Sequence, residues 1–479
     1  MQKELTMKTT YTVLTAAFAL FAVAPRSSAQ EVTKVAVATP QPAVAESVAP
    51  VDTSKKVKKA PTVAFAAMGP QVEIQNYRPE DKRGVNVFES PKDDSIPYDG
   101  FKLQFGAAFT QQLQGLDHSN TAAPRPVTTN GVTTNANQLI RIGHGPNNAV
   151  ANIYLNAQLA RGIRVAMTTY SSARHHQETW VKDGYLLVDA LPFDWEPTNS
   201  LMKYVTVKAG HFEINYGDAH FRRTDNGNGI RNPLIGNYIM DAFTTEVGSE
   251  IYVRANGFML MGGMTGGESR GMITQPERRE PSYLLKAGFD KNFGKLRFRL
   301  TGSEYATSSS VSNTLFSGDR AGSRYYDVME NTTSTETAQA WSGSIQPGLK
   351  NSIHSIVVNP FLQYGGLEFF GNFERAKGRA QGETDNRVWR QNVGEVVYRF
   401  LADQRLFVAA RYNTVNGQLT VGTPDVRVNR VQAGGGWFLT PNILMKAEYV
   451  TQKYLDFPST DIRNGGKFQG YMFEGVVAF

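Results

Sequence analysis

Arg222, Arg223 and Arg231, with Asp225 among them, are the group in this chain best suited to act on a solute. They lie in the polar, Gly- and Asn-rich stretch 215–244, and guanidinium groups gathered at a constriction lower the electrostatic barrier to anions. Other chemistry has little foothold. The sequence holds no His-Glu-x-x-His, no Gly-x-Ser-x-Gly and no phosphate-cradling Gly-Lys-Ser/Thr, so zinc-protease, hydrolase and nucleotide-binding readings fail. No enzyme and no cofactor are implied. His175 and His176 are adjacent at the end of a candidate strand, where neighbours point to opposite faces, so a rim position fits them better than joint metal ligation. Asp225-Asn226-Gly227-Asn228-Gly229 has three oxygen ligands but no closing glutamate, and reads as a tight turn rather than a calcium loop. Asn331-Thr332-Thr333 matches a glycosylation acceptor, a pattern of little weight here. There is no cysteine, hence no disulfide framework.

The elements that would position these residues are strands. From Phe101 onward, segments of roughly ten residues alternate apolar and polar, the pattern of a sheet with one face in lipid and one in water. Phe101, Leu103, Phe105, Ala107 and Phe109 share one side, and Lys102 and Gln104 the other. Leu296, Phe298 and Leu300 oppose Arg297 and Arg299; Leu367, Phe369 and Phe373 oppose Glu368, Asn372 and Glu374; Met445, Ala447 and Tyr449 oppose Lys446 and Glu448. Short links at Arg161-Gly162, Asn256-Gly257, Asn292-Phe293-Gly294, Gly365-Gly366, Asp403-Gln404 and Thr440-Pro441-Asn442 alternate with long polar ones at 115–147, 215–244, 266–281, 308–351, 417–425 and 457–465. One link, 191–201, is long where a short one is due. The expectation is an all-β fold: a transmembrane antiparallel β-barrel of about 16 strands over 101–479, with short periplasmic turns and long extracellular loops.

Parity then assigns a lumen. Lys102, Arg164, Lys208, Arg254, Lys286, Arg297, Arg299, Arg399, Arg411 and Lys446 would line it, against Glu250, Glu368, Glu374, Glu395, Glu448 and Glu474. The basic excess is compatible with weak anion preference and equally with pairing across the wall that leaves none.

Composition agrees with a barrel. Hydrophobic residues make up 41% and aromatics 11%, with 44 glycines; the mean hydropathy of -0.35 is too polar for a helical membrane protein. Lys8 precedes an apolar run from Tyr11 to Val23 and a small-residue exit, Ser27-Ser28-Ala29, the layout of a secretory signal over 1–29. At about 13 residues the run is short of the roughly 20 a spanning helix needs. Its removal would lower the formal charge from +7 to +5, with no basic stripe of the kind nucleic-acid binders carry. Residues 30–100 read as a periplasmic segment. Their first part is an Ala/Val/Pro/Lys linker containing Lys55-Lys56-Val57-Lys58-Lys59, and 71–100 is either an introductory segment or a small lumenal plug.

The chain ends with Tyr471, Phe473, Val477 and the terminal Phe479 on one face. This resembles the C-terminal targeting signal of bacterial outer-membrane proteins, which implies recognition by the barrel-assembly machinery. The stretch Val205-Thr206-Val207-Lys208-Ala209-Gly210-His211-Phe212-Glu213-Ile214-Asn215-Tyr216-Gly217 is similar to the strand of the phosphate-selective porin O and P family that enters an inward-folded third loop. The family commonly has a proline-aromatic pair where this chain has Asn215-Tyr216. The resemblance implies a 16-stranded, homotrimeric outer-membrane porin whose third loop, here 215–244, sets the bore for small hydrophilic solutes or anions. A barrel enzyme of the outer-membrane phospholipase type would need a serine beside His211; parity places none there, and a packing role is preferred. The rival reading is a scaffold barrel of a secretion or adhesion assembly, plugged by 71–100 or 308–351. A transporter for hydrophobic substrates would need an apolar lumen rather than this charged one.

Overall fold

Period-two alternation becomes a closed wall in the computed structural model, which describes residues 73–90, 92, 96–174, 179–193, 195–269, 273–317 and 322–479. The signal segment 1–29, the lysine run at 55–59 and the His175-His176 pair lie outside the described residues. Sixteen long strands form the barrel: β1 Lys102–Ser119, β2 Val150–Ala160, β3 Ile163–Ser172, β4 Thr179–Val188, β5 Val205–Glu213, β6 Thr245–Ala255, β7 Phe258–Thr265 and β8 Ser282–Phe293. They continue with β9 Leu296–Thr307, β10 Ser352–Tyr364, β11 Leu367–Arg379, β12 Arg387–Phe400, β13 Leu406–Gln418, β14 Asp425–Thr440, β15 Ile443–Leu455 and β16 Lys467–Ala478. Each pairs antiparallel with its sequence neighbours, and a two-residue stub at Gly145–Pro146 also joins β1. β1 closes the sheet by pairing on one side with β2, Lys102 opposite Gln158, and on the other with β16, from Ala108 opposite Ala478 to Ser119 opposite Lys467. Closure leaves the sixteen-stranded wall without an edge strand, which a lipid environment requires.

The two rims differ as their residues dictate. Asn256 (φ 53°) and Gly257 (φ 89°) both adopt the left-handed conformation of a two-residue hairpin turn, and a Cβ on Gly257 would stand 2.9 Å from the Asp290 carbonyl oxygen. Comparable short turns link β2–β3, β8–β9, β10–β11, β12–β13 and β14–β15. The exception is the β4–β5 link, which carries a short helix, Glu196–Met202, exposing Trp195 and Leu201. At the opposite rim the links are longer, from the 419–424 connection up to 308–351; the first contains an exposed hairpin, Pro126–Thr129 with Val132–Asn135.

Outside, Phe105, Leu113, Trp437, Tyr471 and Phe473 are all at least half exposed, part of an apolar belt around the whole wall. Such a surface suits lipid and would aggregate in water. Inside, the barrel is partly filled. The link 214–244 lies within it, with Ile235, Ile239 and Met240 fully buried. Residues 322–351 also pack inward, bringing Tyr325, Val328 and Met329 against Val428, Val450, Phe468 and Met472 of β14–β16. Burying each such side chain contributes about 1.5–3 kcal/mol, so one side of the interior is a hydrophobic core.

Candidate functional site

The third long link is held in place by charge pairs to the wall. Arg222 lies between two glutamates, its Nη2 2.7 Å from Glu395 and 3.4 Å from Glu368. Each glutamate has a second arginine: Arg399 meets Glu368 at 2.6 Å and Arg411 meets Glu395 at 2.5 Å. The five form a continuous buried ladder across β11, β12 and β13. Burial alone would lower the Arg222 pKa, but Glu395 and Glu368 outweigh it and raise it. Arg223 binds Asp241 at 2.6 Å, within the same link, and Arg231 binds Glu80 at 2.5 Å. Arg222 and Arg223 are buried and Arg231 is partly buried, each with a carboxylate partner. Asp225 accepts from Lys182 Nζ at 3.1 Å and begins a tight turn in which its own N–H and that of Asn228 bond reciprocally to each other's carbonyl. The tip of this turn touches the wall. Gly227 N–H donates to Asn152 Oδ1, its carbonyl accepts from Thr110 Oγ1, and a Cβ there would stand 2.7 Å from Ala151 Cα.

The remaining parity-assigned residues fall on the inner side of the wall. Lys286, fully buried, meets Asp218 at 2.8 Å and Glu89 at 3.1 Å, and Arg299 binds both carboxylates. Burial favours the neutral form of Glu89 and Asp218, but Arg299 and Lys286 prevail and hold both below the usual carboxylate range. Arg297 binds Asp290 at 2.6 Å. Lys446 meets Glu474 at 2.6 Å, and Glu448 accepts from Tyr325 Oη and the Ile235 N–H. Glu374 accepts from Tyr216 Oη at 2.9 Å. Lys208 meets Glu250 at 3.6 Å and lies over the Phe212 ring. Lys102 donates to the Glu73 carbonyl, Arg164 to Asn156 and the Asn76 carbonyl, and Arg254 to Thr206 and the Ser90 carbonyl. His211 bonds to Thr245 Oγ1.

Open space is displaced toward one side. A cavity of about 170 Å³ runs against β2–β6, lined by Tyr154, Arg164, Lys182, Lys208, Tyr252 and Arg254 on the wall and by Arg78, Glu80 and Glu89 opposite. A second cavity, about 540 Å³, lies at the short-turn mouth between residues 86–89 with Lys92 and the β6–β7 turn. The two share Phe88, Glu89 and Arg254. Residues 75–90 and Lys92 fall in the stretch that the sequence leaves as either an introductory segment or a small lumenal plug; its charge-rich composition without period neither chooses between the two nor picks out the residues that face the cavities.

No protein-family model and no curated protein matches the chain. Solved structures similar to it include an anion-selective porin from Comamonas acidovorans, at 10% identity and TM-score 0.48, covering 79% of this chain and 100% of that one. Another is OmpT, an outer-membrane protein of Vibrio cholerae, in its trimer form, at 11% identity and TM-score 0.46, covering 80% and 100%. A third is OprB of Pseudomonas putida, at 12% identity and TM-score 0.46, covering 79% and 94%.

Proposed function

We propose that the chain is a porin of the bacterial outer membrane, exported by its N-terminal signal, through which small hydrophilic solutes diffuse passively. The observation that carries this reading is a closed barrel with an apolar outer belt and adjoining polar cavities along its β2–β6 wall. A barrel of sixteen strands encloses more volume than its own side chains fill. Here the loops occupy one side, and the charged residues that remain along the other keep the path wet. The short-turn rim is periplasmic and the long-loop rim extracellular. Tyr471, Phe473, Val477 and Phe479 would be read by the barrel-assembly machinery, and the likeness of 205–217 to phosphate-selective porins makes a homotrimer the expected assembly.

The finer reading is a weak anion preference. Arg78, Arg164 and Arg254 line the inner cavity through bonds to carbonyls, an amide and a hydroxyl, whereas Glu80 and Glu89 are neutralised by Arg231, Arg299 and Lys286. Counting Lys182, Lys208, Asp183, Glu213 and Asp225 as well, six basic side chains line the cavity against five carboxylates, a slight positive excess. Osmotic swelling of proteoliposomes tests the main claim: entry of small sugars and amino acids with no saturation supports it, and impermeable vesicles containing folded protein contradict it. The plugged scaffold barrel remains the second reading, favoured by the inward packing of 322–351; it predicts impermeable vesicles.

A further inference from the structure

Residues 75–90, with Lys92, cross the short-turn mouth from one wall to the other and return. They start beside β2–β4, where Gln75 Oε1 accepts from Gln158 at 2.6 Å and from the Gly162 N–H at 3.1 Å. At the facing wall the Lys82 N–H donates to the Pro441 carbonyl at 3.0 Å, in the β14–β15 turn, and Asn86 donates to Glu368 at 2.6 Å, at the start of β11. On the way back, Arg297 donates to the Asn86 carbonyl at 2.9 Å, Glu89 meets Arg299 at 2.9 Å, and Lys92 Nζ donates to the Val205 carbonyl at 2.7 Å. Phe88 is buried edge-on against Phe361, ring centroids 5.3 Å apart. The segment is thus a strap anchored around the mouth by both its backbone and its side chains.

Its position divides the open space. The mouth cavity and the inner cavity meet at Phe88, Glu89 and Arg254, two residues of the strap and one of β6. A solute moving between the cavities must pass between them. We propose that this neck, made by the strap and the wall, sets the size limit of the channel. The proposal rests on the channel reading above.

The test compares three proteins refolded into liposomes and planar bilayers: the full chain, a variant lacking 73–92, and full-length Phe88→Ala. The probes are sugars of increasing size, from a pentose to a tetrasaccharide, together with KCl conductance. The strap account expects the deletion to raise conductance several-fold and admit larger sugars, and Phe88→Ala to shift the size limit the same way by a smaller step. An unchanged limit in both variants overturns it. A silent full chain with an open deletion variant would overturn passive diffusion by the native protein while supporting the strap, and silence in all three overturns both. If the deletion does not fold, Phe88→Ala decides.

Discussion

Glu395 holds two arginines, one from the wall and one from the third long link, in a buried site. Replacing one member of a buried ion-pair network leaves uncompensated charge and costs about 3–5 kcal/mol. Glu395→Ala, which strands both Arg222 and Arg411, should fall in that range in urea unfolding from micelles; a cost under about 1 kcal/mol would mean the ladder is solvated. Gly227→Val tests the other end of the link. A Cβ within 2.7 Å of Ala151 Cα cannot be accommodated by rotating a side chain, because the clashing atom is backbone. The tip should lift from β2 and become sensitive to protease, with the barrel's circular dichroism unchanged. The three arginines were legible in the sequence as members of one loop. Their neutralisation was not, because the partners of Arg222 and Arg231, Glu395 and Glu80, are 173 and 151 residues away and pairing is decided by tertiary approach.

The third link was readable as an element because β5 runs out of alternation at Glu213 and β6 resumes it at Thr245. The strap was legible only as one of two alternatives, an introductory segment or a lumenal plug, since no periodicity marks a segment whose backbone bonds go to turns and side chains rather than to a ladder. Its docking should depend on acid. Glu89 in the strap and Asp218 in the third link share Arg299 and Lys286 and are held below the usual carboxylate range. A depressed folded-state pKa stabilises the docked form fully above the unfolded value and loses that contribution as pH falls through the folded one. Docking should therefore be flat from neutral pH down to about 4, then weaken progressively below it. Limited pepsin digestion from pH 4 to 2 reads this directly: cleavage within 75–92 should accelerate in the native protein, and Glu89→Gln should already be susceptible at pH 4. Equal cleavage rates in the two proteins would remove Glu89 from the docking account.

At the scale of the whole molecule, strand number, closure and the contrast of rims follow from alternation and turn chemistry, both local properties that a sequence displays. What fills the barrel does not follow. Inward positions of β12–β15 include Trp389, Val415, Val428 and Val450, and period two shows that they share a side without showing what they meet there. They meet residues of 214–244 and 322–351, which moves the open path off the axis toward β2–β6. The account's central claim is that this off-axis path conducts. Single-channel recording of the refolded mature protein in a planar bilayer under a KCl gradient tests it most directly. Stable ohmic steps, with a reversal potential displaced modestly toward that of chloride, are predicted; absence of steps from protein whose β-structure is verified by circular dichroism would contradict the claim and leave a plugged barrel.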